Sequence, residues 1–168
     1  MSKKETNTKK EKQVRKTLAS NRKAFHNYEI LDRCESGIVL SGYEVKSARH
    51  SNISLADALV KFSNGEAFVD NMFIAPYENI STHIQDYDAK RKRKLLLHKA
   101  EINKMSQKVK EKGLTVIPLE VYISSKGKLK VQIGLAKGKT AYNKKEDLKR
   151  KDINREISRE HNIRKFKA

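Results

Sequence analysis

The chain has 168 residues, with 38 Lys and Arg against 20 Asp and Glu, for a formal net charge of +18. This length suits one domain with tails, and so positive a balance points to a polyanionic partner, nucleic acid first. No apolar run approaches the ~20 residues of a membrane span, the start MSKKETNTKKEKQ lacks the apolar core of a secretory signal, and Cys34 is the lone cysteine. An internal disulfide and a cysteine zinc site are therefore excluded; no membrane partner is expected, and the compartment is expected to be a reducing cytoplasm.

Residues 1–23 carry net +7 and residues 137–168 net +7, while the long middle carries only +4. Residues 1–20 hold just Val14 and Leu18 as large apolar groups. That surface is too small to offset the entropy of ordering, so 1–20 is predicted to be a mobile basic arm, with at most a short helix near 11–19.

From Phe25 the pattern changes. FHNYEILDRC and GIVLSG read as strands parted by a turn at Glu35-Ser36-Gly37. YEVKSARH, with Val45 and Ala48 three apart, suits a short helix. In DALVKFSNGEAFVD, Ala58, Val60 and Phe62 alternate, Asn64-Gly65 is the favoured two-residue hairpin turn, and Ala67 to Val69 returns. NMFIAPY continues as a short strand ended by Pro76.

Residues 77–94 read as a polar loop ending in KRKRK. LLLHKAEINKMSQKVKEKG reads as a helix, with Ile102, Met105 and Val109 on one face and Gly113 as its stop. Two strands follow. Ile117, Leu119, Val121 and Ile123 alternate; after the SSKGK turn so do Leu129, Val131, Ile133 and Leu135. The opposite face of the last strand opens with Lys128, Lys130 and Gln132. About six short strands with helices between them make a mainly β fold, closed as a small barrel or stacked as two sheets. The reading adopted is a small OB-type antiparallel β-barrel over 21–142, with two to three flanking helices. Periodicity alone does not separate it from another small α+β barrel.

GLAKGKT, Gly134 to Thr140, ends like a phosphate-binding loop. Such a loop needs four residues between its glycines; Gly134 and Gly138 have three between them, and no apolar helix pattern follows. Lys137 and Lys139 read better as contacts to a nucleic-acid backbone. The tail, 143–168, pairs Glu146 with Arg150, Asp147 with Lys151 and Glu160 with Arg164, acid first at i,i+4, each worth roughly 0.3–0.5 kcal/mol on a helix. Ile153 and Ile157 share a side. A lone helix is marginal in water, so the tail is predicted to be disordered when free and helical when bound. The alternative is a solvated charged tail without that role.

No catalytic constellation stands out. His26, His50, His83, His98 and His161 do not pair at zinc-ligand spacing; His26 and His83 are placed to stack on or bond to RNA. Cys34 lies in an apolar strand and reads as a buried, inert thiol. Asp86 and Asp88 sit in a loop with no supporting spacing. The sequons at Asn52 and Asn79 carry no meaning in a cytoplasmic protein. In KRKRKLLL, Lys90 to Leu97, the leucines are expected to anchor the segment and hold cations such as Arg91 and Arg93 at a fixed surface site. No enzymatic activity, metal or cofactor is expected.

Several ordered motifs resemble the bacterial tmRNA-binding small protein B family. They are Asn21-Arg22-Lys23-Ala24-Phe25-His26-Asn27-Tyr28, Glu35-Ser36-Gly37-Ile38 and Gly42-Tyr43-Glu44-Val45-Lys46-Ser47, followed by NGEAF (64–68), IAPY (74–77), RKLLLH (93–98) and LAKGK (135–139). The resemblance spans about residues 20 to 142 and implies an OB-type barrel without catalysis. It implies binding to the tRNA-like elbow of tmRNA, delivery to stalled ribosomes, and rescue by peptide tagging.

Carried over by residue, the family's RNA-contacting or RNA-shaping positions are Asn21, Glu35 and Leu96, with Lys130 and Gly138 in support. Arg22, Lys23, His26, Arg91 and Arg93 join them, and Lys137 and Lys139 extend the surface toward the ribosome. The tail residues Lys144, Lys145, Lys149, Arg150, Lys151, Ile153 and Arg155 are expected in the decoding centre and messenger channel of the small subunit. A monomer is expected. One departure is that Asn143-Lys144-Lys145 stands where many family tails have Asp-Lys-Arg, so a role for that carboxylate is not carried over. The rival readings are a general RNA-binding barrel and a nuclease or nucleotide hydrolase.

Overall fold

The computed structural model describes residues 15–77 and 87–166. The predicted hairpin forms as β4 (Leu59–Ser63) and β5 (Glu66–Asp70). Asn64 and Gly65 both take positive φ, 51° and 72°, which the twist of a two-residue hairpin requires. The C-terminal pair forms as β8 (Thr115–Ile123) and β9 (Leu129–Gly138), antiparallel from Thr115 opposite Ala136 to Ile123 opposite Leu129. Their apolar faces do not run straight through. A bulge between Pro118 and Glu120 shifts the register, so Val116 and Val121 point into the main core while Ile117 and Leu119 pack under the first helix.

Two further strands complete a closed wall: β2 (Tyr28–Ile38) and β7 (Arg93–Leu96). The order β8-β4-β5-β7-β2-β9 returns to β8 through the β8–β9 pairing, and β1 (Lys16–Ser20) pairs with the far half of β8. The bulges in β2 and β8 supply the bending that closure needs. Gly134 marks the tightest point: a Cβ there would lie 2.8 Å from Leu119 Cδ1 and 3.1 Å from Ile30 Cγ2. Inside the wall, Val60, Val69, Leu95, Val121, Val131 and Ile133 form the core, capped by Ile102 and Met105.

Among the described residues four helices accompany the sheet: α1 (Arg22–Asn27), α2 (Gly42–Arg49), α3 (Lys99–Lys112) and α4 (Ala141–Phe166). The short strands β3 (Ile53–Ser54) and β6 (Phe73–Ile74) pair with each other. Gly113 ends α3 in the left-handed conformation, φ 58°, as its position predicts. The mainly β, antiparallel, helix-flanked architecture is the one expected.

Three expectations about elements are corrected. The segment read as a mobile arm contributes β1, because Leu18 is buried in the core and its neighbours bond to β8; residues 1–14 lie outside the described residues. Glu35-Ser36-Gly37 is not a turn: β2 runs through it unbroken, with Ser36 facing inward and its hydroxyl donating to the Val131 carbonyl at 2.9 Å. The leucines after KRKRK do not start a helix. Leu95 and Leu96 belong to β7, Leu97 follows it, and α3 begins only after His98, whose N–H donates to Glu101 at 2.9 Å. Residues 78–86 of the loop read at 77–94, with His83, Asp86 and the Asn79 sequon, lie outside the described residues.

Candidate nucleic-acid interface

Strand register places four residues in a row across the outer wall. Tyr122 stands opposite Lys130, Lys130 opposite Gly37, and Gly37 opposite Leu96. Glu35 lies two residues before Gly37, hence on the same face. Gly37 lets the Leu96 side chain lie over its backbone: a Cβ there would come within 3.1 Å of Leu96 Cβ. Lys130 reaches diagonally to Glu35 Oε1 at 3.2 Å, while the Tyr122 hydroxyl donates to Glu35 Oε2. Leu96 stays 54% exposed, a strand residue held out in solvent. Glu35, Leu96 and Lys130, far apart in sequence, line one groove of about 490 Å³ with Lys94 and His98.

The electrostatics of this row are local. The Tyr122 hydrogen bond holds the Glu35 carboxyl below its usual range; burial opposes that, and Lys130 and Arg15 reinforce it. Tyr122 is pushed up to about 12 by burial and then by Glu35. The Arg15 guanidinium lies 5.1 Å from the Tyr122 ring centroid. Glu35 thus has protein partners for both oxygens, which accounts for an acid on a basic surface.

The other predicted residues gather at the opposite end of the β2–β9 pair. Tyr28 faces Gly138 and Glu29 faces Lys137, nine residues from Gly37, roughly 30 Å along the strand. Lys137 and Gly138 are exposed. Lys139 is tied to α1: its N–H donates to the Asn27 carbonyl at 2.9 Å and its ammonium to the Phe25 carbonyl at 3.1 Å. Thr140 Oγ1 accepts the Asn143 N–H at 3.3 Å. The Gly-Lys-Thr of the apparent phosphate loop is therefore a strand end followed by a helix cap. A groove of about 520 Å³ between Phe25, Arg33, Lys139, Asn143 and Arg150 separates the root of α4 from the wall.

Asn21 is buried and fully engaged. Its Oδ1 accepts from Ala24 N–H at 3.0 Å, and its Nδ2 donates to the Leu55 and Pro118 carbonyls at 2.8 and 3.1 Å. It caps α1 and pins it to β8. Arg22, Lys23 and His26 are exposed on α1; Lys23 lies 3.8 Å from Asp57, and a His26 ring nitrogen lies 3.0 Å from Asn27 Oδ1.

The expectation that Arg91 and Arg93 form a surface cation cluster is overturned. Arg93 has no exposed surface. Its Nε donates to Glu44 Oε1 at 2.9 Å, and its other nitrogens to the Met72, Arg91 and Ala89 carbonyls at 2.6, 3.0 and 3.0 Å. Arg91 forks onto the same carboxylate, with Nε 2.9 Å from Oε1. The reason is strand alternation: with Leu95 inward, Arg93 is inward too, and a buried guanidinium needs a buried acid. Burial pushes the Glu44 carboxyl up, but the Arg91 bonds, the Ser41 N–H and Arg93 outweigh it and hold it below its usual value. Lys90 and Lys92 remain exposed, and Lys94 pairs with Glu66.

Beyond the wall, α4 carries the tail cations on one 26-residue helix. Lys145, Lys149, Arg150, Ile153 and Arg155 are exposed, and Arg155 lies 3.7 Å from Asp152. Lys144 and Lys151 share the helix backbone. Half-buried Cys34 donates to Glu101 at 3.3 Å and is pushed up to about 11 by burial and by Glu101. Among the described residues no group of three His, Cys, Asp or Glu could hold a metal, and no helix is long and apolar enough to cross a membrane.

Sequence reasoning missed Gly37, Tyr122 and Arg15. The partnership of Tyr122 with Lys130 was legible in principle: the turn that bonds Ser124 N–H to the Lys128 carbonyl at 2.9 Å fixes the pairs on either side.

Residues 18–163 match the family model described as SmpB protein. The SsrA-binding protein of Coprothermobacter proteolyticus is 54% identical over 149 residues, covering 89% of this chain and 99% of its own. That of Persephonella marina is 51% identical, covering 87% and 94%, and that of Enterococcus faecalis 52%, covering 86% and 92%. A solved chain from "tmRNA-SmpB: a journey to the center of the bacterial ribosome" superposes with a TM-score of 0.61 at 46% identity, covering 73% of this chain and 85% of that one.

Proposed function

The chain belongs to the SmpB family, and from that premise we propose how its two ends divide one task. The protein binds tmRNA and works with the ribosome in trans-translation. The Glu35–Leu96–Lys130 groove grips the tRNA-like elbow. The Lys137–Lys139 end turns toward the ribosome, and α4 enters the decoding centre and the empty messenger channel. The barrel then occupies the place of an anticodon arm, the protein acts by binding and not by catalysis, and it works in the cytoplasm where ribosomes are.

The observation that supports this reading is convergence. Three residues from β2, β7 and β9 meet at one groove, while the exposed tail cations lie beyond the opposite end. Folded RNA offers phosphates and 2′-hydroxyls on a rigid shape. A register-fixed row with an exposed leucine, a lysine and a carboxylate suits such a surface better than it suits a flexible polyanion.

A salt-titrated gel shift tests it, with tmRNA and an unstructured transcript of equal length, using the full chain and a truncation after Tyr142. The full chain should prefer tmRNA strongly at physiological salt, and the truncated chain should keep that preference while failing in peptide tagging. Equal affinity for the two RNAs would instead assign a general RNA-binding role. Loss of tmRNA affinity on truncation would undo the division between the two ends.

A further inference from the structure

We propose that Tyr122 is a positioning residue for RNA binding: it touches no RNA, but holds the Glu35 carboxylate that in turn holds the Lys130 ammonium beside Gly37. This inference rests on the groove being the tmRNA site.

Three observations carry it. Tyr122 is 1% exposed although it lies on the outer face, so its ring cannot meet a ligand. Its hydroxyl, the one polar group of the side chain, is donated to Glu35 Oε2, leaving Oε1 for Lys130 at 3.2 Å. The three residues come from three adjacent strands, with Lys130 opposite both Tyr122 and Gly37, so the arrangement is set by register.

A lysine on an open sheet swings through many rotamers, and ordering it on binding costs free energy. Here the ordering is done beforehand. Glu35 is about half exposed, so its bond to Lys130 is weak enough for the ammonium to be exchanged onto a phosphate. The Tyr122 bond keeps the carboxylate in place during that exchange. Arg15 covers the ring from the N-terminal side, 5.1 Å from its centroid.

Tyr122→Phe removes the hydroxyl and keeps the ring, and three measurements on the full chain decide the matter. The first is the NMR signal of the Lys130 side chain in the free protein, which needs no RNA. It should sharpen toward that of a mobile lysine in Tyr122→Phe; an unchanged signal overturns the proposal. The second is tmRNA affinity across salt. Tyr122→Phe should bind roughly three- to tenfold more weakly, with an unchanged salt slope because Lys130 keeps its charge. Wild-type affinity in the variant overturns the proposal. The third is the double variant Tyr122→Phe/Lys130→Ala, which should bind no more weakly than Lys130→Ala alone; full additivity means the two act independently. Should Tyr122→Phe fold poorly, Glu35→Gln leaves the ring untouched and should release Lys130 in the same way. A wild-type chain with no preference for tmRNA would sink the functional reading instead, while the free-protein spectrum still decides whether Tyr122 governs Lys130.

Discussion

Lys130 and Lys149 carry the same charge in opposite physical situations. Lys130 is flanked by strands on both sides and meets a carboxylate at a defined distance. Lys149 sits exposed on α4, a helix whose apolar residues Ile153 and Ile157 are themselves more than half exposed. A cation fixed by register can match a shaped backbone; a cation on an unburied helix attracts any polyanion and depends on a partner to order it. Specificity is therefore expected from the wall and reach from the tail.

The largest effect should come from inside the wall, where a cation is not available to RNA at all. Arg93→Ala leaves Glu44 buried beside Arg91 alone and should cost about 3–5 kcal/mol in urea unfolding. Lys149→Ala should stay within about 0.5 kcal/mol. Equal effects would mean that the two regions are not distinct.

Next comes binding. Lys130→Ala should weaken tmRNA binding about tenfold, from the loss of one charge-assisted bond. Lys149→Ala should leave the tmRNA gel shift nearly unchanged and act only in a tagging assay on stalled ribosomes. If both variants weaken the gel shift equally, the tail shares the elbow site.

Acid sharpens the contrast further. The Glu44 carboxyl is held below its ordinary value of 4.5, so its contribution to stability is complete above that value and is lost as pH falls through the depressed one. Stability of the full chain should drop below pH ~4.5. Glu44→Gln, already weaker at neutral pH, should show a flatter acid limb. A wild-type profile in Glu44→Gln would remove the Arg91–Glu44–Arg93 cluster from the account.

The smallest effect concerns where the two regions join. Thr140→Ala removes the cap on α4 and should cost about 1 kcal/mol of helix stability. The far-ultraviolet helix signal should fall while the unfolding midpoint of the wall stays put. The same signal, followed on heating, tests the expected disorder of the free tail: α4 should melt before the wall does.

Local rules recovered the local features. The Asn64-Gly65 hairpin, the Gly113 stop and the alternation of β9 each depend on a few neighbouring residues, and each formed as read. The failures share a cause. Arg93 looked like a surface cation because a sequence does not say which face of a four-residue strand is inward, and Arg91 because its partner Glu44 lies 47 positions away. Leu18 looked too isolated to order its segment because its partners on β8 lie about a hundred positions away. Glu35-Ser36-Gly37 looked like a turn because small and polar residues mark turns, whereas here Ser36 satisfies a carbonyl inside the wall and Gly37 clears space for its neighbours.

Charge, its concentration at the two ends, strand-rich patterning and the ordered motifs of a family were all present in the linear chain, because each depends on which residues occur and in what local order. The placement of Glu35, Leu96 and Lys130 on one row, the burial of Arg93 and the engagement of Tyr122 arose only when the sheet closed. Register is a property of pairs of strands, and burial a property of the whole wall, so neither exists until distant segments meet.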